Sequence, residues 1–213
     1  MDQTLEAWYG FAWSIIGFLL GSMPFAHWIT FALANTDVRL YGDGNPGTVN
    51  AWKAGGWRCG LPVLILDFAK SAGPVFAAAV QIGLNSWFLV PAALAPVLGH
   101  AFSPFLRFRG GKAVAATFGI WAGLTLWEIP TVLGLLLAAF VLVQTVDAWS
   151  VVLGTACLAL YLLLVGSPQP FLMIWAGNFA VLLWKHRKDL VTAPSLRPYI
   201  KRVFGGSVAR FLN

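Results

Sequence analysis

The chain has 213 residues, of which 59% are hydrophobic and 10% are charged, and its formal net charge is +6. A typical soluble domain is about 45–50% apolar and roughly 25% charged, so this chain carries too little charge to cover a surface that faces water. The composition therefore excludes a soluble globular protein, a disordered chain and a nucleic-acid-binding domain as first interpretations. Because seven membrane-spanning helices need about 140 residues, the length predicts a single integral membrane domain that covers residues 1–213.

Seven apolar stretches follow one another along the chain and predict an all-α, polytopic membrane protein with seven transmembrane helices. In chain order they cover residues 8–33, 61–84, 87–105, 113–126, 130–143, 150–165 and 169–184. Pro24, together with Gly21 and Ser22, should kink the first stretch near its end. We also expect a long polar loop over residues 35–60 and a polar break over residues 144–149.

Basic residues are distributed unequally between the two ends of these stretches. With seven spans, thirteen of the fourteen Lys and Arg residues fall on the side that holds the C-terminus, and the remaining one, Lys70, lies inside the second span. By the positive-inside rule, this asymmetry predicts an N-terminus outside the cell and a cytoplasmic C-terminus. The N-terminus carries Asp2 and Glu6 rather than the positive charge of a cleaved signal peptide, so we expect the first stretch to remain as a helix.

The first segment that suggests chemistry is rich in glycine and covers residues 42–50. Glycines allow successive backbone N–H groups to point into one concavity, which suits a phosphate. The same composition is also typical of a flexible loop built from turn-forming residues. Composition alone leaves both interpretations open.

A second segment ends in Gly110, Gly111 and Lys112, which precede the fourth apolar stretch. The start of a helix carries free N–H groups and a partial positive charge, so this position favours an anion. The alternative is a cytoplasmic anchor that contacts only lipid headgroups, and the same alternative applies to the basic segment at residues 185–189. His100, just upstream, is by itself more often a structural residue than a catalytic one.

Two charged residues, Asp67 and Lys70, lie within the second apolar stretch. Residues three apart share one face of a helix, so this pair can neutralise itself. Ionisable groups in a spanning helix generally indicate a functional site. The alternative is a pair at the end of the helix, near the membrane interface, which would not indicate one. The cysteines Cys59 and Cys157 lack the spacing of a metal site, so we expect neither zinc nor a disulfide.

Taken together, these segments resemble one family, the bacterial membrane acyltransferases that use acyl-phosphate to acylate glycerol 3-phosphate (PlsY). The resemblance covers nearly the whole chain in the right order. The matching positions are residues 21–26, residues 37–39, Gly42-x-Gly44-Asn45-x-Gly47, Asp67, Lys70, Gly99-His100-x-Phe102-Ser103, Phe108-x-Gly110-Gly111-Lys112 and His186-Arg187.

The resemblance implies seven membrane helices in a bacterial inner membrane, with the N-terminus outside and the active site at the cytoplasmic face. It implies that the hydroxyl of glycerol 3-phosphate attacks the acyl carbon, that phosphate leaves and that lysophosphatidic acid forms. The family needs no acyl-CoA, carrier protein, metal or other cofactor, and the phosphate of the substrate is thought to assist in place of a protein base. We expect membrane lipids as partners, no nucleic acid, and a monomer.

The resemblance also assigns roles to individual residues. Lys112 resembles the cation that pairs with phosphate, and His186 resembles a polar contact to the acceptor. We place Asp43 and Asp189 with these two as catalytic candidates. The substrate-binding candidates are Gly42, Gly44, Asn45, Gly47, Asn50, Lys53, His100, Ser103, Arg109, Gly110, Gly111 and Asp147. We expect no metal ligands.

Three of these positions depart from the family pattern, because Asp43, Asp147 and Asp189 stand where the family carries neutral side chains. A carboxylate about 4 Å from a phosphate charge costs on the order of 4 kcal/mol at an effective dielectric constant of 20. Three hypotheses follow. The protein acylates glycerol 3-phosphate; it acylates another acceptor, with Asp43 or Asp147 as general base; or it is an inactive relative that binds lipid or phosphate.

Overall fold

The structure, a computed structural model, describes residues 2–85 and 87–200. Helices account for the regular secondary structure of these residues, and no β-strand forms among them, which confirms the predicted all-α fold. The eight α-helices in the described ranges are α1 (Gln3–Ser22), α2 (Phe25–Ala34), α3 (Thr48–Phe76), α4 (Leu89–Ala101), α5 (Val114–Thr125), α6 (Glu128–Val143), α7 (Asp147–Leu164) and α8 (Gln169–His186).

Four helical segments are long and apolar enough to cross a membrane, by length and composition. They cover residues 3–34, 48–81, 89–106 and 147–164. The first of these combines α1 and α2, which are separated only by Met23 and Pro24, so the predicted kink in the first stretch is confirmed. Adding α5, α6 and α8 gives seven helical segments in the described ranges, and the count of seven spans stays a prediction.

The predicted loop over residues 35–60 is wrong in its second half, because α3 already begins at Thr48. The helix is interrupted at Gly55 and Gly56, where the backbone is not helical and Gly56 has a φ of +62°. Polar and glycine-rich composition hid this short first part of α3. It folds as a helix because Ala51 is buried against Val38 in a small apolar core, which also fixes the preceding loop.

The helical segments alternate in direction, so that every second connection lies at the same end of the bundle. α1 and α4 run side by side in the same direction, and their backbones approach so closely that a Cβ on Gly21 would lie 2.2 Å from the carbonyl oxygen of Pro96. Small residues permit this kind of close packing between membrane helices. α4, α6 and α8 end, and α3, α5 and α7 begin, around one cavity.

Candidate active site

The cavity at this end of the bundle has a volume of ≈ 880 Å³. Side chains of α3, α5 and α7 form an apolar wall, which comprises Val49, Leu64, Val114, Phe118 and Val151. Polar and charged side chains line the rest, among them Asp43, Asn45, Asn50, Lys53, Asp67, His100, Lys112, Asp147, His186, Lys188 and Asp189. A cavity with one polar region and one apolar wall suits an amphipathic molecule.

Lys112 lies at the centre of the polar region, between two carboxylates. Its Nζ is 2.6 Å from Oδ2 of Asp43 and 2.6 Å from Oδ2 of Asp189. Burial lowers the pKa of Lys112, but the two aspartates outweigh that effect, so the pKa is raised and the ammonium stays charged. Two carboxylates around one ammonium leave this cluster with a net charge of −1 when all three groups are ionised. We call Asp43, Lys112 and Asp189 the cavity cluster.

The glycine-rich loop is organised around Asp43. Oδ1 of Asp43 accepts hydrogen bonds from the side-chain amide of Asn50 (2.8 Å) and from the backbone N–H of Asn45 (3.1 Å). Burial would raise the pKa of Asp43, but the hydrogen bonds from Lys112, Asn50 and Asn45 lower it to about 2. Asp43 is therefore a carboxylate at neutral pH.

Three backbone N–H groups of this loop have acceptors within residues 41–47. Gly44 donates to the carbonyl of Tyr41 (3.0 Å) and Gly47 donates to the carbonyl of Asn45 (2.9 Å). Together with the hydrogen bond from the N–H of Asn45 to Asp43, these contacts occupy three of the backbone N–H groups that the sequence analysis considered as phosphate donors. These three hydrogen bonds order the loop, and phosphate binding by residues 42–50 stays a prediction.

The structure brings most, but not all, of the predicted site residues to the cavity. All four catalytic candidates line it, and so do the substrate-binding candidates Asn45, Gly47, Asn50, Lys53, His100 and Asp147. The other six candidates, Gly42, Gly44, Ser103, Arg109, Gly110 and Gly111, do not line it. Ser103 instead donates a hydrogen bond of 2.5 Å to the carbonyl of Ser22 and so joins the ends of α1 and α4.

The two glycines before Lys112 pack against His100 at the end of α4. The N–H of Gly111 donates to the carbonyl of His100 at 3.0 Å. A Cβ on Gly111 would lie 2.1 Å from Nε2 of His100, and a Cβ on Gly110 would lie 2.0 Å from the carbonyl oxygen of His100. Side chains at these positions would displace the loop, so the glycines place Lys112 without contacting the cavity themselves.

Asp67, Lys70 and His100 form a second charged group, which we call the buried cluster. Lys70 Nζ lies 2.7 Å from Oδ1 of Asp67, and these side chains are only 5% and 3% exposed. The same Nζ donates to the carbonyl of Met23 at 2.8 Å, and Nδ1 of His100 lies 3.7 Å from Oδ1 of Asp67. The predicted self-neutralising pair is confirmed. Asp67 lies 11 residues beyond Gly56, where α3 is interrupted, and a functional role for this pair stays a prediction.

Sequence reasoning missed Lys185, in the last turn of α8, and Lys188, just beyond its end. Lys188 lines the cavity, and Lys185 donates hydrogen bonds to the backbone carbonyls of Ala101 and Gly110. Both lie in a basic segment whose composition fits a membrane anchor equally well, so no pattern distinguished them. No group of three or more His, Cys, Asp or Glu side chains in the described residues is arranged to hold a metal ion.

A family model described as glycerol-3-phosphate acyltransferase matches residues 11–193. The chain belongs to this family. Glycerol-3-phosphate acyltransferase 1 of Thermotoga maritima is 38% identical over 203 residues, which cover 88% of this chain and 96% of that protein. The glycerol-3-phosphate acyltransferase of Aromatoleum aromaticum is 33% identical over 196 residues, which cover 92% of this chain and 93% of that protein.

The fold of a solved member of the family agrees with these matches. PlsY, an integral membrane glycerol 3-phosphate acyltransferase, has been solved in a glycerol 3-phosphate form. It superposes with a TM-score of 0.78 at 30% sequence identity, over 85% of this chain and 90% of that chain. The resemblance inferred from the sequence and the integral membrane fold are therefore confirmed.

Proposed function

We propose that this acyltransferase moves a fatty acyl group from acyl-phosphate to the sn-1 hydroxyl of glycerol 3-phosphate and so forms lysophosphatidic acid. The observation that carries this proposal is the cavity itself, in which the Lys112 ammonium faces an apolar wall. Family membership supports the acceptor and the product, since PlsY has been solved in a glycerol 3-phosphate form and in a lysophosphatidic acid form.

The proposed reaction converts the mixed anhydride of acyl-phosphate into the carboxylic ester of lysophosphatidic acid. The hydroxyl oxygen of the acceptor attacks the acyl carbonyl carbon, and the bond from that carbon to the bridging phosphate oxygen breaks. Phosphate leaves with the electron pair, and the hydroxyl proton passes to a phosphate oxygen. Lys112, Lys53 and Lys188 line the cavity and supply positive charge for the phosphate groups. The imidazole of His186 lines it as well and is the proposed contact to the acceptor.

Phosphate binding at Lys112 requires that the cavity cluster open. The side chain of Asp43 is 45% exposed and that of Asp189 is 38% exposed, so each carboxylate has access to water. A partly exposed ion pair contributes at most about 1 kcal/mol, which the charge-assisted contact between lysine and phosphate offsets. We therefore propose that substrate phosphate replaces one or both aspartates on Lys112.

A second candidate function is acylation of a neutral hydroxyl acceptor, and the two carboxylates on Lys112 favour it. In this scheme Asp147, which lines the cavity, acts as the general base. Asp43 is a poor candidate for that role, because a pKa of about 2 makes its carboxylate a weak base at neutral pH. The proposal of glycerol 3-phosphate as acceptor is preferred because three lysines line the cavity, and a neutral acceptor does not need them all.

We further propose that the protein is a monomer in a bacterial inner membrane, with its N-terminus outside and its cavity open to the cytoplasm. The distribution of Lys and Arg supports this orientation. The gathering of the polar loops at one end of the bundle also supports it, because the cavity then meets soluble glycerol 3-phosphate on the cytoplasmic side.

Phosphate release by the detergent-purified protein tests the proposed function. We expect release from palmitoyl-phosphate to depend on glycerol 3-phosphate and to match the amount of lysophosphatidic acid found by mass spectrometry. Release with glycerol but not with glycerol 3-phosphate would establish the second candidate instead. A folded protein that releases no phosphate with either acceptor would be the inactive relative.

A further inference from the structure

Lys185, in the last turn of α8, binds the backbone of two other segments. Its Nζ donates to the carbonyl of Ala101 at 2.9 Å and to the carbonyl of Gly110 at 2.7 Å. The ammonium also lies 5.5 Å from the centroid of the Phe102 ring. Lys185 does not line the cavity, and none of the ion pairs within residues 2–85 and 87–200 includes it. It therefore acts as neither a phosphate ligand nor a partner of a carboxylate.

The loop that Lys185 holds, residues 107–113, has a demanding backbone. Arg107, Phe108 and Ala113 have φ values of +52°, +61° and +64°. Non-glycine residues rarely adopt this region, and such conformations persist only where the surrounding structure imposes them. Helix α4 holds the loop through the His100 carbonyl, which accepts from the N–H of Gly111, and Lys185 holds it through the carbonyl of Gly110.

The loop in turn determines where Lys112 points. Gly110 lies two residues before Lys112, and α5 begins two residues after Lys112. The end of α8 contributes to this position twice, since Lys185 binds the backbone of the loop and Asp189, four residues later, binds the ammonium of Lys112. A shift of this loop moves the Lys112 ammonium relative to the cavity.

We propose that Lys185 is a positioning residue, which clamps residues 107–113 onto the end of α4 and thereby aims the Lys112 ammonium into the cavity. The catalytic consequence of the clamp rests on the proposed function, whereas the clamp itself does not. A lysine suits this role because its ammonium has three donors and no acceptor, so two can bind carbonyls while the cation faces an aromatic ring.

Amide hydrogen exchange tests the clamp directly. In Lys185→Met, which keeps the chain length but removes the donors, we expect exchange at Gly111 and its loop to accelerate at least about tenfold. Lys185→Arg should retain most of the protection, because guanidinium also donates to carbonyls. Arg58→Ala is the matched control, since it removes a basic residue whose guanidinium packs on Trp57. Unchanged exchange over residues 107–113, or equal acceleration throughout α5, would overturn the proposal.

Turnover separates the clamp from the proposed function. If the clamp and the proposed function both hold, Lys185→Met should lower kcat by about 10- to 100-fold, since misplacing a catalytic group by about 1 Å lowers the rate by up to about 100-fold. Lys185→Arg should recover most of the lost turnover. The unfolding midpoint should stay near that of Arg58→Ala. Full activity in Lys185→Met would contradict the positioning role. A wild-type protein without transferase activity would refute the proposed function, while hydrogen exchange would still decide whether the clamp exists.

Discussion

The described residues, 2–85 and 87–200, contain two lysine–aspartate clusters, which differ in burial and in the ratio of carboxylates to ammonium groups. In the buried cluster, one ammonium meets one carboxylate, and the Lys70 and Asp67 side chains are 5% and 3% exposed. In the cavity cluster, one ammonium meets two carboxylates, and the Lys112 side chain is 28% exposed. The first cluster is balanced and almost fully buried, with Asp67 and His100 lining the cavity, whereas the second has excess negative charge and more access to water.

This difference indicates different tasks. A buried pair cannot exchange partners, because an unpaired charge in the interior is expensive, so Lys70 and Asp67 hold α3 to the end of α1. A partly exposed pair contributes little to stability, and its ammonium can take a new anion. The difference in burial therefore indicates a structural role for the first cluster and makes the second a candidate for phosphate binding.

The largest effect is expected from breaking the buried cluster. Lys70→Met leaves the Asp67 carboxylate buried without its counter-ion, which should lower the free energy of unfolding by about 3–5 kcal/mol. The double variant Asp67→Leu/Lys70→Met is the matched control and should be much closer to wild type, because both charges are gone. The free energies of unfolding of the single and the double variant are measured in detergent. A single variant as stable as the double would show that this pair does not hold the fold.

Removing the cation of the cavity cluster should affect catalysis rather than stability. Lys112→Ala should lower kcat/KM by about 10²–10³-fold, as expected when a group that stabilises transition-state charge is lost. The free energy of unfolding should change by less than about 1 kcal/mol, because the ion pairs are partly exposed. Arg39→Ala is the control, since it breaks a pair with Asp37 outside the cavity. Near-normal phosphate release by Lys112→Ala would refute the proposed site.

The pH dependence of the cavity cluster has a definite sign. Burial opposes and hydrogen bonds favour ionisation of Asp43, with the net effect that its pKa falls from 3.8 to about 2. A lowered pKa in the folded state stabilises the protein fully above about pH 4 and loses that effect as the pH falls towards 2. The difference in unfolding free energy between wild type and Asp43→Asn should therefore stay constant over about pH 5–8 and shrink below about pH 4. A step near pH 6 that Asp43→Asn removes would contradict this assignment.

Cysteine labelling determines the side of the membrane on which the cavity cluster opens. In a background with Cys59 and Cys157 replaced by alanine, a cysteine at Glu128 should react from outside and one at Thr192 only after permeabilisation. Gly205, the natural test position in the basic tail, lies outside the described residues. Labelling of Thr192→Cys from outside would overturn the predicted orientation, and labelling of both Glu128→Cys and Thr192→Cys from outside would overturn the seven-span count.

Much of the fold could be predicted from hydropathy, and less of the site could be predicted from motifs. The apolar stretches correspond to helices because burial in a membrane demands long apolar segments, and the early start of α3 was missed because its first turns are polar. Asp43, Lys112 and Asp189 were each selected as candidates, yet their mutual pairing was not predicted. That pairing depends on three loops meeting in space, which no local pattern records.

The hydrogen bonds inside the glycine-rich loop were also beyond sequence reasoning. Glycine content indicates backbone freedom but not where the N–H groups point, and here Gly44 and Gly47 donate within the loop. Lys185 and Lys188 look alike in the sequence, although one binds backbone carbonyls and the other lines the cavity. Lys185 lies in the last turn of α8 and Lys188 lies beyond its end, so the point at which α8 ends distinguishes them.

The exchange of aspartate for phosphate on Lys112 is tested most directly by steady-state kinetics of Asp43→Ser with glycerol 3-phosphate and with glycerol. If Asp43 only competes with substrate phosphate for Lys112, the variant should have a lower or unchanged KM for glycerol 3-phosphate and an unchanged kcat. If Asp43 is instead a general base for a neutral acceptor, turnover with glycerol should fall by about 10²–10⁴-fold. The first result is the one predicted here, and the second would contradict it.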